Sequence, residues 1–174
     1  MRYKEFSKNP GNLPDESQQV SLIAKQLKEY MDTDSFRSQI DKVHKLNGNS
    51  QQIQNLLEEK LLSLKFVSEK KGLFIKCAVP SLRPDFHMKV GKSGILVEIE
   101  RGKTIANNMD LLDLWKCHIC DEADFLFLVV PCVRMNHKGQ GTRTFDRVEK
   151  RVETFFDPIR KNYVNVEAVH LFGY

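Results

Sequence analysis

Arg83-Pro84-Asp85-Phe86-His87-Met88-Lys89-Val90, followed after a short polar break by Ile95-Leu96-Val97-Glu98-Ile99-Glu100, is the stretch on which the reading of this chain turns. Successive side chains of a strand point to opposite faces. The first segment therefore puts Asp85, His87 and Lys89 on one side and Phe86, Met88 and Val90 on the other. The second sends Ile95, Val97 and Ile99 toward a core and leaves Leu96, Glu98 and Glu100 opposite. A turn at Lys92-Ser93-Gly94 would make the pair a hairpin, superimpose the polar faces and bring Asp85 up to Glu98 and Glu100. Carboxylates this close repel one another unless a cation neutralises them or one keeps its proton. Oxygen ligands of this kind suit Mg2+, with Mn2+ as a substitute, because these hard ions are held by one or two carboxylates plus waters and substrate phosphates. The competing reading is a solvated strand face, since alternation often leaves charges in water.

The residues downstream favour the first reading. Asn107 to Cys120 predicts a helix with an Asn cap, and Ala123 to Pro131 is apolar enough for a fully buried strand. Strand, crossover helix and strand imply a parallel pair, so the Glu-bearing strand is expected inside a mixed sheet.

These residues resemble the PD-(D/E)xK nuclease superfamily, and within it the type II restriction endonucleases. The resemblance covers roughly residues 50 to 131. Pro84-Asp85 matches the first element of the motif and Glu98-Ile99-Glu100 the second, with Glu where most members carry Lys. The resemblance implies an α/β fold: a restriction-endonuclease-like core with a central mixed β-sheet flanked by helices, plus N-terminal helices. It implies that Asp85 and Glu98 bind the metal and that Glu100 orients or deprotonates the attacking water. Lys103 has the wrong strand parity to replace the missing Lys directly, although Gly102 could break that parity. It is left as a phosphate contact, a migrated catalytic Lys or a plain solvated residue. The core helix of the family often adds an acid. Ser50 to Leu62 fits that slot, with Ile53, Leu56, Leu57, Leu61 and Leu64 as its stripe, which makes Glu58 and Glu59 candidates.

Composition sets the outer bounds. The 174 residues are 41% apolar, enough for one substantial core, with a formal net charge of +4 that permits nucleic acid without requiring it. No apolar run is long enough to span a bilayer, and the polar start Met1-Arg2-Tyr3-Lys4-Glu5 predicts a cytoplasmic protein. Cys77, Cys117, Cys120 and Cys132 read as reduced core cysteines; a zinc site from Cys117, Cys120, Cys132 and His137 is disfavoured because its first pair falls in a buried helix. His87 and His118 read first as satisfied structural residues.

Residues 1–49 are expected to be a polar tail (1 to 16, with a loop at Asn9-Pro10-Gly11-Asn12) and two helices, on the spacing of Val20, Ile23, Leu27 and Tyr30 and then of Phe36, Ile40 and Val43. Residues 50–174 are expected to form the nuclease-like core, the whole being one compact domain. Asn47-Gly48-Asn49-Ser50 marks the break, and Gly72 to Val79 offers a first strand of the sheet. Phe145, Val148, Val152, Phe155 and Phe156 trace a late helix, and Tyr163 to Phe172 a last strand. Between these lies a basic loop whose Arg134, Asn136, Lys138, Gln140 and Arg143 could hold phosphates or read base edges of double-stranded DNA. The expected function is a Mg2+-dependent endodeoxyribonuclease, most simply a type II restriction enzyme. By the same resemblance it would be a homodimer on a palindromic site. The alternatives are a repair, recombination or RNA nuclease of the same fold, or a noncatalytic DNA-binding module.

Overall fold

The computed structural model of the chain describes residues 1–8, 15–46, 48–136, 138–159 and 163–174. Its centre is a mixed sheet of six strands: β1 (Arg2–Ser7), β2 (Val67–Ser68), β3 (Phe86–Val90), β4 (Ser93–Ile99), β5 (Phe125–Val130) and β8 (Ala168–Gly173), in the spatial order β1-β8-β5-β4-β3-β2. The two central pairings, β4 with β5 and β5 with β8, are parallel, and the outer three are antiparallel. Every residue of β5 and β8 is buried, as strands covered on both faces should be. A separate two-stranded ribbon, β6 (Arg134–Met135) with β7 (Gly141–Thr142), carries the basic loop.

Helices cover both faces. On one, α1 (Asp15–Met31), α2 (Asp34–Val43) and α3 (Ser50–Ser63) lay Leu27, Phe36, Ile53 and Leu57 against Ile95, Val97, Phe127 and Phe172. On the other, α4 (Met109–Ile119) and α5 (Thr144–Phe156) place Leu114, Cys117, Phe145 and Val148 against Leu96, Leu126, Leu128 and Leu171. Full burial of a Phe such as Phe127 is worth about 2–3 kcal/mol, so the alternating faces of β4 and β5 anchor both layers. The mixed α/β class with a central sheet between helices is thus the one expected. Among the described residues no helix is long and apolar enough to cross a membrane.

Four local expectations are corrected. The β3–β4 hairpin turns at Gly91-Lys92, because Val90 pairs with Ser93 and both Ser93 and Gly94 belong to β4. Gly91 has φ of +57, so the conformation calls for glycine, while the Glu16 side chain that a Cβ would meet at 2.5 Å could swing aside. Residues 2–7 are not a tail but an edge strand on β8, where the polar sequence fits a half-exposed edge. Residues 72–79 form turns rather than a strand: Leu73 and Phe74 plug the α4–α5 layer while Ile75 points to water. Asn108 does precede α4, but in a left-handed conformation with no side-chain capping bond.

By contrast, Thr33 and Asn49 cap α2 and α3 through their side chains. The predicted loop at Asn9 to Asn12 and the first residue of the Asn47-Gly48-Asn49-Ser50 break lie outside the described residues.

Candidate active site

The hairpin register decides where the acids meet. Phe86 pairs with Val97, so Asp85, one residue earlier, lies opposite Glu98 on the face turned toward α4. The backbone N–H of Ile99 donates to Asp85 Oδ2 at 2.8 Å, and the Gln54 amide of α3 also bonds this carboxylate. Glu100 follows the last residue of β4, held by its N–H to the Val129 carbonyl at 2.8 Å and by the Tyr174 hydroxyl donating to its carbonyl at 2.9 Å. All three carboxyl groups line one cleft of about 600 Å³ at the ends of the central strands.

Helix α4 contributes what the strand reading did not include. Its inward face carries Asp110, Asp113 and Lys116, spaced three apart so that they fall along one side. Lys116 Nζ sits 2.5 Å from Glu98 Oε1 and 3.2 Å from Asp113 Oδ1. Asp110, fully buried, pairs with Arg151 of α5 at 2.9 Å and ties the two helices together. Leu114 and Cys117 of α4 pack on the sheet beside these charged groups, while Leu112 and Trp115 are turned outward, each 41% exposed.

Burial raises all of these carboxyl pKa values. It pushes Glu100 up to about 7, aided by the Asp113 and Asp85 charges. It takes Asp113 to about 6 against the opposing pull of Lys116. Glu98 is driven well above the usual carboxylate range, by burial first and then by Asp113. Asp85 is raised by burial in spite of the bonds from Ile99 and Gln54. For Lys116, burial opposes the charge, but Glu98 and Asp113 outweigh it and raise its pKa. One ammonium therefore serves several carboxyl groups, an excess of negative charge that calls for a further cation or for protons.

The donor set suits a hard divalent cation held by few protein ligands. Glu98 and Asp113 share the Lys116 ammonium, and Asp113 Oδ2 is buried with no hydrogen-bond partner. Among the described residues no three His, Cys, Asp or Glu side chains converge as a ligand set. That limits the fit to a site of one or two carboxylates, which is how Mg2+ is ordinarily held beside a substrate phosphate.

The remaining candidates divide by position. Lys103 is exposed and lines the mouth of the same cleft, while Arg101 is fastened inward to the carbonyls of Lys45 and Gly48. Glu58 borders a small pocket with Gln51, Gln54 and Asp85; Glu59 lines neither that pocket nor the cleft. Arg134 and Asn136 line a second groove of about 490 Å³ that shares Arg101, Gly102 and Lys103 with the cleft. Gln140 is turned to Asn136 within the loop, Lys138 donates its N–H to Asn136 Oδ1, and Arg143 is paired with Asp146.

The histidines are held by backbone groups. His118 Nδ1 accepts the Asn165 N–H at 2.8 Å, and His87 Nε2 lies 3.5 Å from the Glu122 carbonyl. Cys120 precedes and Cys132 follows the six residues of β5, about 20 Å of strand, which separates the pairs of the zinc spacing; its His137 lies outside the described residues. Asp110, Asp113 and Lys116 were the groups that the sequence reading missed. The Asp110, Asp113, Lys116 periodicity on an otherwise apolar helix was their available signal.

No family model matches the chain, and no curated protein matches it. Among solved structures, the crystal structure of the restriction endonuclease BGLII complexed with a DNA 16-mer aligns over 99% of this chain and 78% of that one, with a TM-score of 0.48 and 10% sequence identity. At that score the likeness carries no argument, and the chemistry has to be read from the cleft.

Proposed function

We propose that the protein is a metal-dependent endonuclease that hydrolyses DNA phosphodiester bonds, built on a restriction-endonuclease-like core and acting as a type II restriction enzyme. The observation that carries this reading is the meeting of Asp85, Glu98 and Glu100 in one cleft, on the strand register that their motif requires. Asp85 and Glu98 would hold Mg2+, or Mn2+ in its place; the ion supplies Lewis-acid stabilisation of the phosphate and a more acidic bound water.

The chain's own groups do the rest. Ile99 N–H and the Gln54 amide fix the Asp85 carboxylate, so its orientation does not depend on substrate. Glu100, with its pKa near 7, is poised to accept a proton from the attacking water at neutral pH. The adjoining groove brings Lys45, Lys103 and Arg134 to the edge of the cleft, where they match the phosphates of a backbone leading away from the scissile bond. The proposal extends to a homodimer on a palindromic duplex site, which sedimentation of the protein with and without a cut-resistant duplex would check.

The decisive test is incubation of the wild type with mixed-sequence plasmid DNA in Mg2+, in Mn2+ and in a chelator, with the ends sequenced. Metal-dependent cuts with a common sequence at the ends are expected, and Asp85→Ala should lose them while still binding DNA. Wild-type-like cutting by Asp85→Ala would sink the assignment.

A further inference from the structure

We infer that Lys116 is the cation already resident at Glu98: an intramolecular competitor that a divalent ion has to displace, kept in the cleft by Asp113 as the positive charge facing the phosphodiester. The Glu-x-Glu strand carries no lysine of its own, yet a lysine stands at its first Glu. Lys116 reaches Glu98 from helix α4, eighteen positions along the chain, and its side chain is only 10% exposed.

Three observations make this more than a structural ion pair. Lys116 borders the cleft together with Asp85, Glu98 and Glu100, so its charge faces the space a substrate would fill. The ammonium is shared between Glu98 and Asp113, and the second oxygen of Asp113 is buried with no hydrogen-bond partner. An ion pair built for stability alone would leave no acceptor open, because an unsatisfied buried acceptor is costly. Here the ammonium supplies charge and leaves lone pairs open.

Asp113 is the second anchor. It stands one helical turn before Lys116 and is itself buried, so it restrains the ammonium whichever partner Glu98 takes. A divalent ion and an ammonium cannot both sit against Glu98 without strong repulsion at that range. The two are therefore alternative partners of one carboxylate. Once Glu98 is taken, the tethered ammonium remains beside the phosphate, where a fixed positive charge stabilises developing negative charge.

The catalytic half of this inference rests on the nuclease reading; the competition half does not. The test measures Mn2+ affinity by calorimetry on DNA-free wild type, Lys116→Met, Lys116→Gln and Lys116→Arg, each checked for a cooperative melt. The two neutral variants should bind Mn2+ on the order of tenfold or more tighter, and Lys116→Arg about as weakly as wild type. Lys116→Gln keeps a hydrogen-bond donor and serves if Lys116→Met does not fold.

Single-turnover cleavage at saturating Mn2+ should fall roughly 100-fold or more in the neutral variants and recover in part with Lys116→Arg. Unchanged or weaker Mn2+ binding in folded neutral variants overturns the competition. Cleavage at the wild-type rate in those variants overturns the phosphate-facing role. If the wild type binds Mn2+ but cuts nothing, the nuclease reading falls, and tighter binding by the neutral variants still supports the competition.

Discussion

Strand β4 presents Ile95, Val97 and Ile99 to α1, α2 and α3, and on its other side presents Leu96 and Glu98 toward α4; the two layers differ in what they bury beside it. On the first side α3 contributes Ile53, Leu57 and Leu61, all fully buried. On the second, α4 buries Asp110, Asp113 and Lys116 next to the strand ends and turns Trp115 outward. An apolar interface stabilises wherever it is placed. A buried charged one carries a penalty, because desolvating each ion costs several kcal/mol. On the proposed function the second layer is the working side, and the first is support apart from the Gln54 amide that bonds Asp85.

The comparison breaks most directly on a core truncation. Leu57→Ala, on the supporting side, should lose about 2–5 kcal/mol of stability in a denaturant titration while the single-turnover cleavage rate per folded molecule stays at the wild-type value. A rate that falls along with the stability would mean that the two layers are not separable. On the working side, Glu100→Gln keeps shape and loses charge. It should slow the chemical step about 100-fold, roughly 3 kcal/mol, with DNA affinity unchanged in a Ca2+ filter-binding assay. A rate equal to wild type would leave Glu100 as an ordinary strand-end carboxylate and make Lys103 the better candidate.

Stability against pH sharpens the same contrast, since the two sides carry shifts of opposite consequence. Glu100, raised from 4.5 to about 7 by burial and then by Asp113 and Asp85, is protonated when folded over a range where the unfolded chain is charged. Its contribution is full below about 4.5 and is lost as pH rises through 7. On the other side His170, edge-on to Phe127, is lowered by burial from 6.5 to about 4. Its contribution is full above 6.5 and is lost as pH falls toward 4. Thermal melts of the metal-free protein from pH 4 to 8 should pass through a maximum between the two limbs. Glu100→Gln should flatten the alkaline limb and His170→Gln the acid one, each by on the order of 1–3 kcal/mol. Superimposable profiles for all three proteins would remove both assignments.

The smallest effect is expected at the groove. Arg134→Ala should weaken DNA binding by less than about tenfold and lower the salt slope by about one unit. Arg143→Ala should do less, because Asp146 already takes that charge. Equal slopes for Arg134→Ala and the wild type would leave the loop a solvated surface.

Much of this arrangement could be read before any coordinates. Strands β3, β4 and β5 declare themselves because each covers a core, so burial writes itself into strict alternation or an unbroken apolar run. Strand β1 could not be read that way: as an edge strand it is half in water, and Arg2-Tyr3-Lys4-Glu5 carries no apolar period. Residues 72–79 mislead for the converse reason. Leu73 and Phe74 are apolar because they plug a layer, not because they pair.

Three acids of the cleft, Asp85, Glu98 and Glu100, were legible through register, since they sit on or beside paired strands; Asp113 on α4 was not. Nor was Lys116, because its meaning depends on which side of α4 meets the sheet. The apolar residues of that helix do not decide it, because Leu114 and Cys117 pack on the sheet while others do not. Leu112 and Trp115 face outward, and the charged residues face in.

That arrangement gives the protein a built-in optical probe. Trp115 is the only tryptophan in the chain, half exposed on α4 and adjacent in sequence to Lys116. Indole emission depends on local polarity and on nearby charge, so the intrinsic fluorescence of the unlabelled protein reports on this one helix rather than on an average over the fold. A titration with Mn2+ or duplex DNA can be followed at that single wavelength, and any signal it gives originates within one residue of the ammonium that faces Glu98.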